Sequence, residues 1–127
     1  MIHLQIVLII HHKSIEDYGG ASGIRDEGAL YAALGRPWQT FDLQELYPSP
    51  TAKAAALFES VVINHPFIDG NKRTAYVLLR LTLQMYGFDI TANENEKYDM
   101  TISASSGTIR FEEISDWINN HLITVNK

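Results

Sequence analysis

The first pattern along the chain is helical. Leu4, Val7, Leu8 and Ile15 fall on one stripe at three- and four-residue spacing, with His11 and Tyr18 on the same line. Gly19-Gly20 supplies the stop, as glycine does at helix C-termini. Ile6, Ile9 and Ile10 widen the apolar surface beyond one stripe. The first reading of so wide a surface is a well-buried core helix, and the other is a face for a partner protein. Ser22-Gly23 reads as a turn. Asp26 then caps a helix expected to run to about Leu34, with Gly35 and Pro37 as stop signals. Arg36 to Pro50 carries scattered apolar residues and predicts a loop with a short helix.

The strongest helical signal lies in the middle. From Thr51 to about Asn64 the chain holds Ala52, Ala54, Ala55 and Ala56 beside Leu57, Phe58, Val61 and Val62. Alanine has the highest helix propensity, and a small-residue face lets another helix approach closely, so this segment is expected to be a central helix. Pro66 disfavours helical geometry at His65. A loop follows through Gly70, and a second strong helix is expected from Asn71 to Tyr86, ended by Gly87. Asn93 to Ser105 and Phe111 to Leu122 predict two more, split by Ser106-Gly107. No repeat, linker or βαβ alternation is present. The pattern predicts an all-α, compact single-domain bundle of about six helices, built on residues 1–127 as one domain.

Composition sharpens this picture. A chain of 127 residues suffices for one core and is short for two ordinary domains. The absence of cysteine excludes disulfides and thiolate zinc sites, so any metal must sit on oxygen or imidazole. A formal net charge of −5 without a Lys/Arg run argues against a nucleic-acid partner. Ile2 to Ile10 lacks both the preceding basic residue and the small-residue cleavage site of a signal peptide, and it is far short of the ~20 residues that span a bilayer. A cytoplasmic protein with no membrane association is the expectation. His11 and His12 are adjacent, diverge by about 100° on a helix and do not chelate one metal together; surface polarity and helix termination are their expected roles. Trp38 and Trp117 are expected in the core. No G-x-x-x-x-G-K-[ST] loop is present, and Gly19-Gly20-x-x-Gly23 lacks the dinucleotide-binding order.

One short stretch concentrates chemistry: His65-Pro66-Phe67-Ile68-Asp69-Gly70-Asn71-Lys72-Arg73. His65 ends one helix, and Asn71, Lys72 and Arg73 form the first turn of the next. The first N–H groups of a helix have no internal partner and the helix dipole is positive there, which suits phosphate. Gly70 lets backbone approach a ligand. Arg73 can grip phosphate oxygens through its planar fork, and Lys72 adds a mobile charge. Asp69 is a hard oxygen ligand suited to Mg²⁺. His65 has an ordinary pKa suited to taking a proton near neutrality. Each has a duller reading alone: Asp69 as an N-cap or turn residue, His65 as a C-cap, Lys72 and Arg73 as a solvated charged face, Phe67 as a core plug that fixes the loop. The functional reading rests on their joint order.

This nonapeptide resembles the signature of the Fic/Doc family, His-Pro-Phe-x-Asp/Glu-Gly-Asn-Gly/Lys-Arg. Upstream, Tyr18-Gly19-Gly20, Gly23-Ile24-Arg25-Asp26-x-Gly28-x-Leu30 and Ala33-Leu34-x-Arg36-Pro37 resemble Doc-type (death-on-curing) proteins. The resemblance implies transfer of a phosphate-containing group from ATP to a protein hydroxyl. His65 would be the base and Asp69 the Mg²⁺ ligand, with Gly70, Asn71, Lys72 and Arg73 contacting phosphates. It further implies a toxin of a toxin–antitoxin pair, acting as a kinase on an elongation factor Tu-like protein and restrained by a small antitoxin in trans. Lys72 departs from the glycine of AMP-transferring relatives, and a side chain there is expected to turn the nucleotide so that its γ-phosphate faces the hydroxyl. Pro66 and Gly70 are shared with those relatives, so AMP transfer is the alternative; a non-catalytic interaction module is the alternative of another class. The family's inhibitory motif, Ser/Thr-x-x-x-Glu-Gly/Asn, is incomplete in this chain. The residues four before Glu27 and Glu94 are Gly23 and Ile90.

Overall fold

A computed structural model describes residues 1–125. Six α-helices dominate them: α1 (Leu4–Tyr18), α2 (Glu27–Gly35), α3 (Pro50–Asn64), α4 (Asn71–Gln84), α5 (Glu94–Ser105) and α6 (Phe111–His121). The expected all-α bundle is therefore present. None of the described helices is long and apolar enough to cross a membrane.

α3 is the hub and touches α2, α4, α5 and α6. Ala54, Ala55, Ala56, Leu57, Phe58, Val61 and Val62 are all fully buried, so this helix is buried on all sides, mostly through apolar residues. Its N-terminus uses Ser49 as cap, whose hydroxyl accepts from the Ala52 N–H, with Pro50 in the first turn where its missing N–H costs nothing. α4 packs along α3 through Ala75, Leu78, Leu79 and Leu83, and buries the same apolar cluster that α6 closes with Ile114 and Ile118. α5 begins with a capping box in which Asn93 and Glu96 satisfy each other's backbone donors.

Local details refine or correct these expectations. α2 ends at Gly35, close to the expected stop, but the backbone there stays helical (φ −84°, ψ −26°) and the chain tightens directly into a 3-10 turn over Arg36–Trp38, the short helix expected in this stretch. Pro37 fits there because the opening turn of a helix needs no N–H from it. The stretch before Pro50 also holds strands that no periodicity announced, β1 (Thr40–Phe41) and β2 (Gln44–Glu45), joined through Asp42 and Leu43 at positive φ. A second small ladder pairs β3 (Phe88–Ile90) with β4 (Leu122–Thr124) and ties the end of α4 to the end of α6. Strands of two or three residues are too short to show an alternating pattern. Trp38 and Trp117 are half-buried against the core rather than inside it.

Charged groups within the fold are paired. Glu59, only 5 % exposed on α3, accepts from Arg36 at 2.8 Å and from Arg110 at 2.9 Å, joining the 3-10 turn and the start of α6 to the hub. Burial pushes its carboxyl up, but hydrogen bonds from Arg110 and Arg36 outweigh that and hold it below the ordinary value. Lys53, 3 % exposed, donates to Glu45 at 2.8 Å and to the Tyr47 carbonyl.

At the far end of α4, Arg80 grips Asp89 of β3 through two 2.9 Å hydrogen bonds. The guanidinium holds the Asp89 carboxyl at about 2, down from an ordinary 3.8. Since the folded value is the lower one, this stabilisation is complete above about pH 4 and disappears as pH falls toward 2. With Arg80 half exposed, Asp89→Asn is expected to cost roughly 1 kcal/mol at neutral pH. It should also flatten the acid limb of a stability–pH curve measured by urea unfolding.

Candidate active site

The site is assembled where α3 ends and α4 begins. α3 stops because His65 takes a left-handed backbone (φ 47°, ψ 61°) before Pro66. The carbonyls at the end of a helix lack intrahelical partners, and Arg25 supplies them. Its Nε donates to the His65 carbonyl at 2.6 Å and its Nη2 to the Asn64 carbonyl. The segment after α1 is stitched to the same loop. Arg25 and Asp26 N–H both donate to the Pro66 carbonyl, at 2.8 and 3.1 Å, and Ile68 N–H donates to Gly23 at 3.0 Å. His65 is thus the C-cap residue, and its side chain is left exposed at the mouth of a cleft.

Phe67 is fully buried and acts as the plug expected of it. Asn71 closes the loop around it: its side-chain oxygen accepts from Phe67 N–H and its amide donates to the Phe67 carbonyl, both at 3.0 Å. Both polar atoms of the Asn71 side chain are thus engaged with the Phe67 backbone, and its own backbone N–H stands at the helix terminus. Gly70, left-handed at φ 76°, is the N-cap of α4 and caps nothing with a side chain. The first intrahelical bond runs from Thr74 N–H to the Gly70 carbonyl. Among the described residues the N–H groups of Asn71, Lys72 and Arg73 consequently have no acceptor and face outward from the positive helix end.

Asp69 sits just before this cap and is not itself the cap. Its carboxylate accepts from Gly70 N–H at 2.9 Å and from Ala21 N–H at 3.3 Å, which orients it without using all its lone pairs. Gly20 makes that approach possible, since a side chain there would stand 2.7 Å from Asp69 Oδ2. No set of three or more His, Asp or Glu side chains converges among the described residues. One oriented, exposed carboxylate beside free helix N–H groups suits Mg²⁺ arriving with phosphates, the usual mode for that ion.

A cleft of about 960 Å³ opens between α1, α4 and α5, and all the expected site residues line it: His65, Asp69, Gly70, Asn71, Lys72 and Arg73. The Arg73 guanidinium lies 4.2 Å over the Tyr18 ring, a cation–π contact that fixes its long side chain. Lys72 is exposed and has no ion-pair partner among the described residues. Lys13 and Lys97, also at the cleft, are neutralised by Asp17 at 3.1 Å and Glu94 at 4.0 Å. Two residues that sequence reasoning passed over, Ser14 and Thr101, are 8 % exposed, line the cleft and carry hydroxyls without a protein partner.

His11 corrects an expectation outright. It is not a surface residue but 5 % exposed, stacked on Phe67 at 3.9 Å with its Nε2 2.8 Å from the Asp69 carbonyl oxygen. The signal was available, because His11 falls on the buried stripe of α1 with Val7. His12, on the solvent side, pairs with Glu16 at 3.4 Å, as a surface residue should. The wide apolar face of α1 divides as well: Val7 is buried, while Ile6 and Ile9 are 44 % and 65 % exposed. The helix is therefore not buried on all sides.

Comparisons with known proteins agree with the geometry. The model of the Fic/DOC family matches residues 2–83, which span α1 through nearly all of α4 and the whole loop. Toxin Doc of Mycolicibacterium smegmatis is 41 % identical over 76 residues, 60 % of this chain and 58 % of that protein, so the likeness spans little more than half of the relative. Protein kinase doc of Escherichia phage P1 is 29 % identical over 110 residues, 87 % of this chain and 86 % of its own length. A Fido domain-containing protein of Dictyostelium discoideum is 43 % identical over 53 residues, 39 % and 37 % of the two chains. With a family match over well more than half its length, this chain belongs to the Fic/DOC family.

Proposed function

We propose that the protein is a Doc-like toxin that transfers the γ-phosphate of Mg-ATP to a Ser or Thr hydroxyl of a protein target. The observation that carries the reading is the α4 N-terminus, which offers free N–H groups, Lys72, Arg73 and the oriented Asp69 carboxylate in one cleft with His65. The similarity to a protein named Protein kinase doc supports the phosphate reading.

In this scheme His65 takes the proton from the target hydroxyl. The hydroxyl oxygen bonds to the γ-phosphorus as the bond to the β-phosphate oxygen breaks, and ADP leaves. The α4 N–H groups, Lys72 and Arg73 hold the phosphate oxygens. Phosphoryl transfer depends mainly on such positioning and charge neutralisation. Asp69 would hold Mg²⁺, which supplies further neutralisation of phosphate charge when bound.

The target proposed by family resemblance is an elongation factor Tu-like protein. A small antitoxin in trans is the proposed restraint, because this chain lacks a complete inhibitory motif. Exposed Ile9, Val77, Tyr98 and Ile102 rim the cleft and offer it an apolar seat.

His65→Ala should lower transfer by about 10²–10⁴-fold with an unchanged thermal melt, since the side chain is exposed. Labelled ATP with cell lysate reads this, and a wild-type chain that labels nothing would favour a non-catalytic module. Asp69→Ala should weaken Mg-ATP binding in calorimetric titration while lowering stability by no more than about 1 kcal/mol, the worth of its exposed backbone contacts. Intact-mass spectrometry of a modified target should show a phosphate adduct, and Lys72→Gly should weaken that transfer. An AMP adduct from wild type would replace the kinase reading with AMP transfer and leave the family unchanged.

A further inference from the structure

We propose that His11 is a positioning residue for the phosphate loop, fixing the Asp69–Gly70 backbone against α1 with one hydrogen bond and one ring stack. It touches three of the four residues from Phe67 to Gly70. Its Nε2 lies 2.8 Å from the Asp69 carbonyl oxygen. A carbonyl can only accept, so Nε2 carries the proton and donates. The ring lies on Phe67 with centroids 3.9 Å apart and planes 8° from parallel. Gly70 completes the contact: a side chain there would stand 3.5 Å from His11 Nε2 and 3.1 Å from Ile15 Cδ1. The backbone of the α4 cap is pressed against α1 at the level of His11.

These contacts bracket the functional groups without touching them. His11 is no part of the cleft wall, and its hydrogen bond goes to the Asp69 backbone and not to the carboxylate. It therefore acts through the loop. The carboxylate direction of Asp69 and the height of the α4 N–H groups both follow from where residues 69 and 70 are held. The Asn71 clamp shapes the loop internally but does not place it relative to α1. The Ala21 and Gly23 contacts tie it to the exposed segment that follows α1, whereas His11 is the buried side-chain hydrogen bond from α1 itself. α1 also contributes Ile9, Lys13, Ser14 and Asp17 to the cleft, so His11 makes one wall and the phosphate cradle move together.

Two substitutions separate the donor from the ring. His11→Phe keeps an aromatic face for Phe67 and removes the donor. His11→Gln keeps an N–H near the position of Nε2 and removes the ring. Hydrogen exchange on the full chain reads the loop directly, because Phe67 and Gly70 N–H groups are hydrogen-bonded within it and Ile68 N–H is bonded to the Gly23 carbonyl. In His11→Phe these amides should exchange about tenfold faster, the effect of one lost buried hydrogen bond. Leu57 and Phe58 of α3 should be unchanged. His11→Gln should fall nearer to wild type at the loop, and Mg-ATP affinity should follow the same order. A residue that only fills space would give the reverse order, since Phe replaces the volume and Gln buries an extra polar group. That reverse order, or wild-type loop exchange in His11→Phe, overturns the proposal. The consequence for nucleotide affinity rests on the transfer reading above. A wild-type chain that binds no Mg-ATP would end that reading while the exchange comparison still decides the role of His11.

Discussion

Everything distinctive in this molecule depends on the two hydrogen bonds between the Asn71 side chain and the Phe67 backbone. They close a five-residue loop over a fully buried phenylalanine and start α4 at a fixed point. Without that closure the polar backbone of residues 67–70 would have to find other partners in a half-buried setting, where an unmet donor or acceptor costs about 1–3 kcal/mol. With it, the loop satisfies itself and leaves the first N–H groups of α4 free. The unsatisfied groups that make the site are thus concentrated at one helix end, where solvent or an anion can reach them.

The electrostatics of the cleft run against those of the whole chain. The protein carries a formal net charge of −5, yet Lys72 and Arg73 stand at a helix end worth roughly half a positive charge. The other lysines of the cleft have carboxylate partners, and those exposed pairs are worth little, about 0–1 kcal/mol. Their effect is chiefly to cancel charge, so attraction for an anion is focused on the loop. Arg73 is held over Tyr18 by a contact that leaves its N–H donors available.

α3 serves both the core and the site. Its largely apolar, buried surface lets four other helices pack on it, and the Glu59 bridge to Arg36 and Arg110 ties the 3-10 turn and the start of α6 to it. A helix packed on all faces cannot shift along its axis, so its C-terminus delivers His65 to a constant place. Arg25 completes this end by taking up carbonyls that the left-handed turn leaves over. Sequence reasoning recorded Arg25 only as part of a resemblance, because a surface arginine carries no periodic signal of its partner.

The sequence by itself determined the six helices, the all-α class and the loop residues that face the cleft. Helical spacing, caps and proline or glycine stops are local, and the nonapeptide is contiguous, so both can be read without knowing the fold. It did not determine that the chain would pass straight from the glycine at position 35 into a 3-10 turn. Nor did it determine the two small ladders: all four strands are too short to alternate, and β3 and β4 pair between distant segments. Only the tertiary structure decided that Asn71 spends its side chain inside the loop, that Ile6 and Ile9 of α1 are left uncovered, and that His11 is buried against Phe67 and Asp69. The last two depend on what α1 meets when it packs beside α4, a contact between segments some sixty residues apart. One-dimensional patterns place a residue on a face of its own helix, and packing alone decides what that face touches.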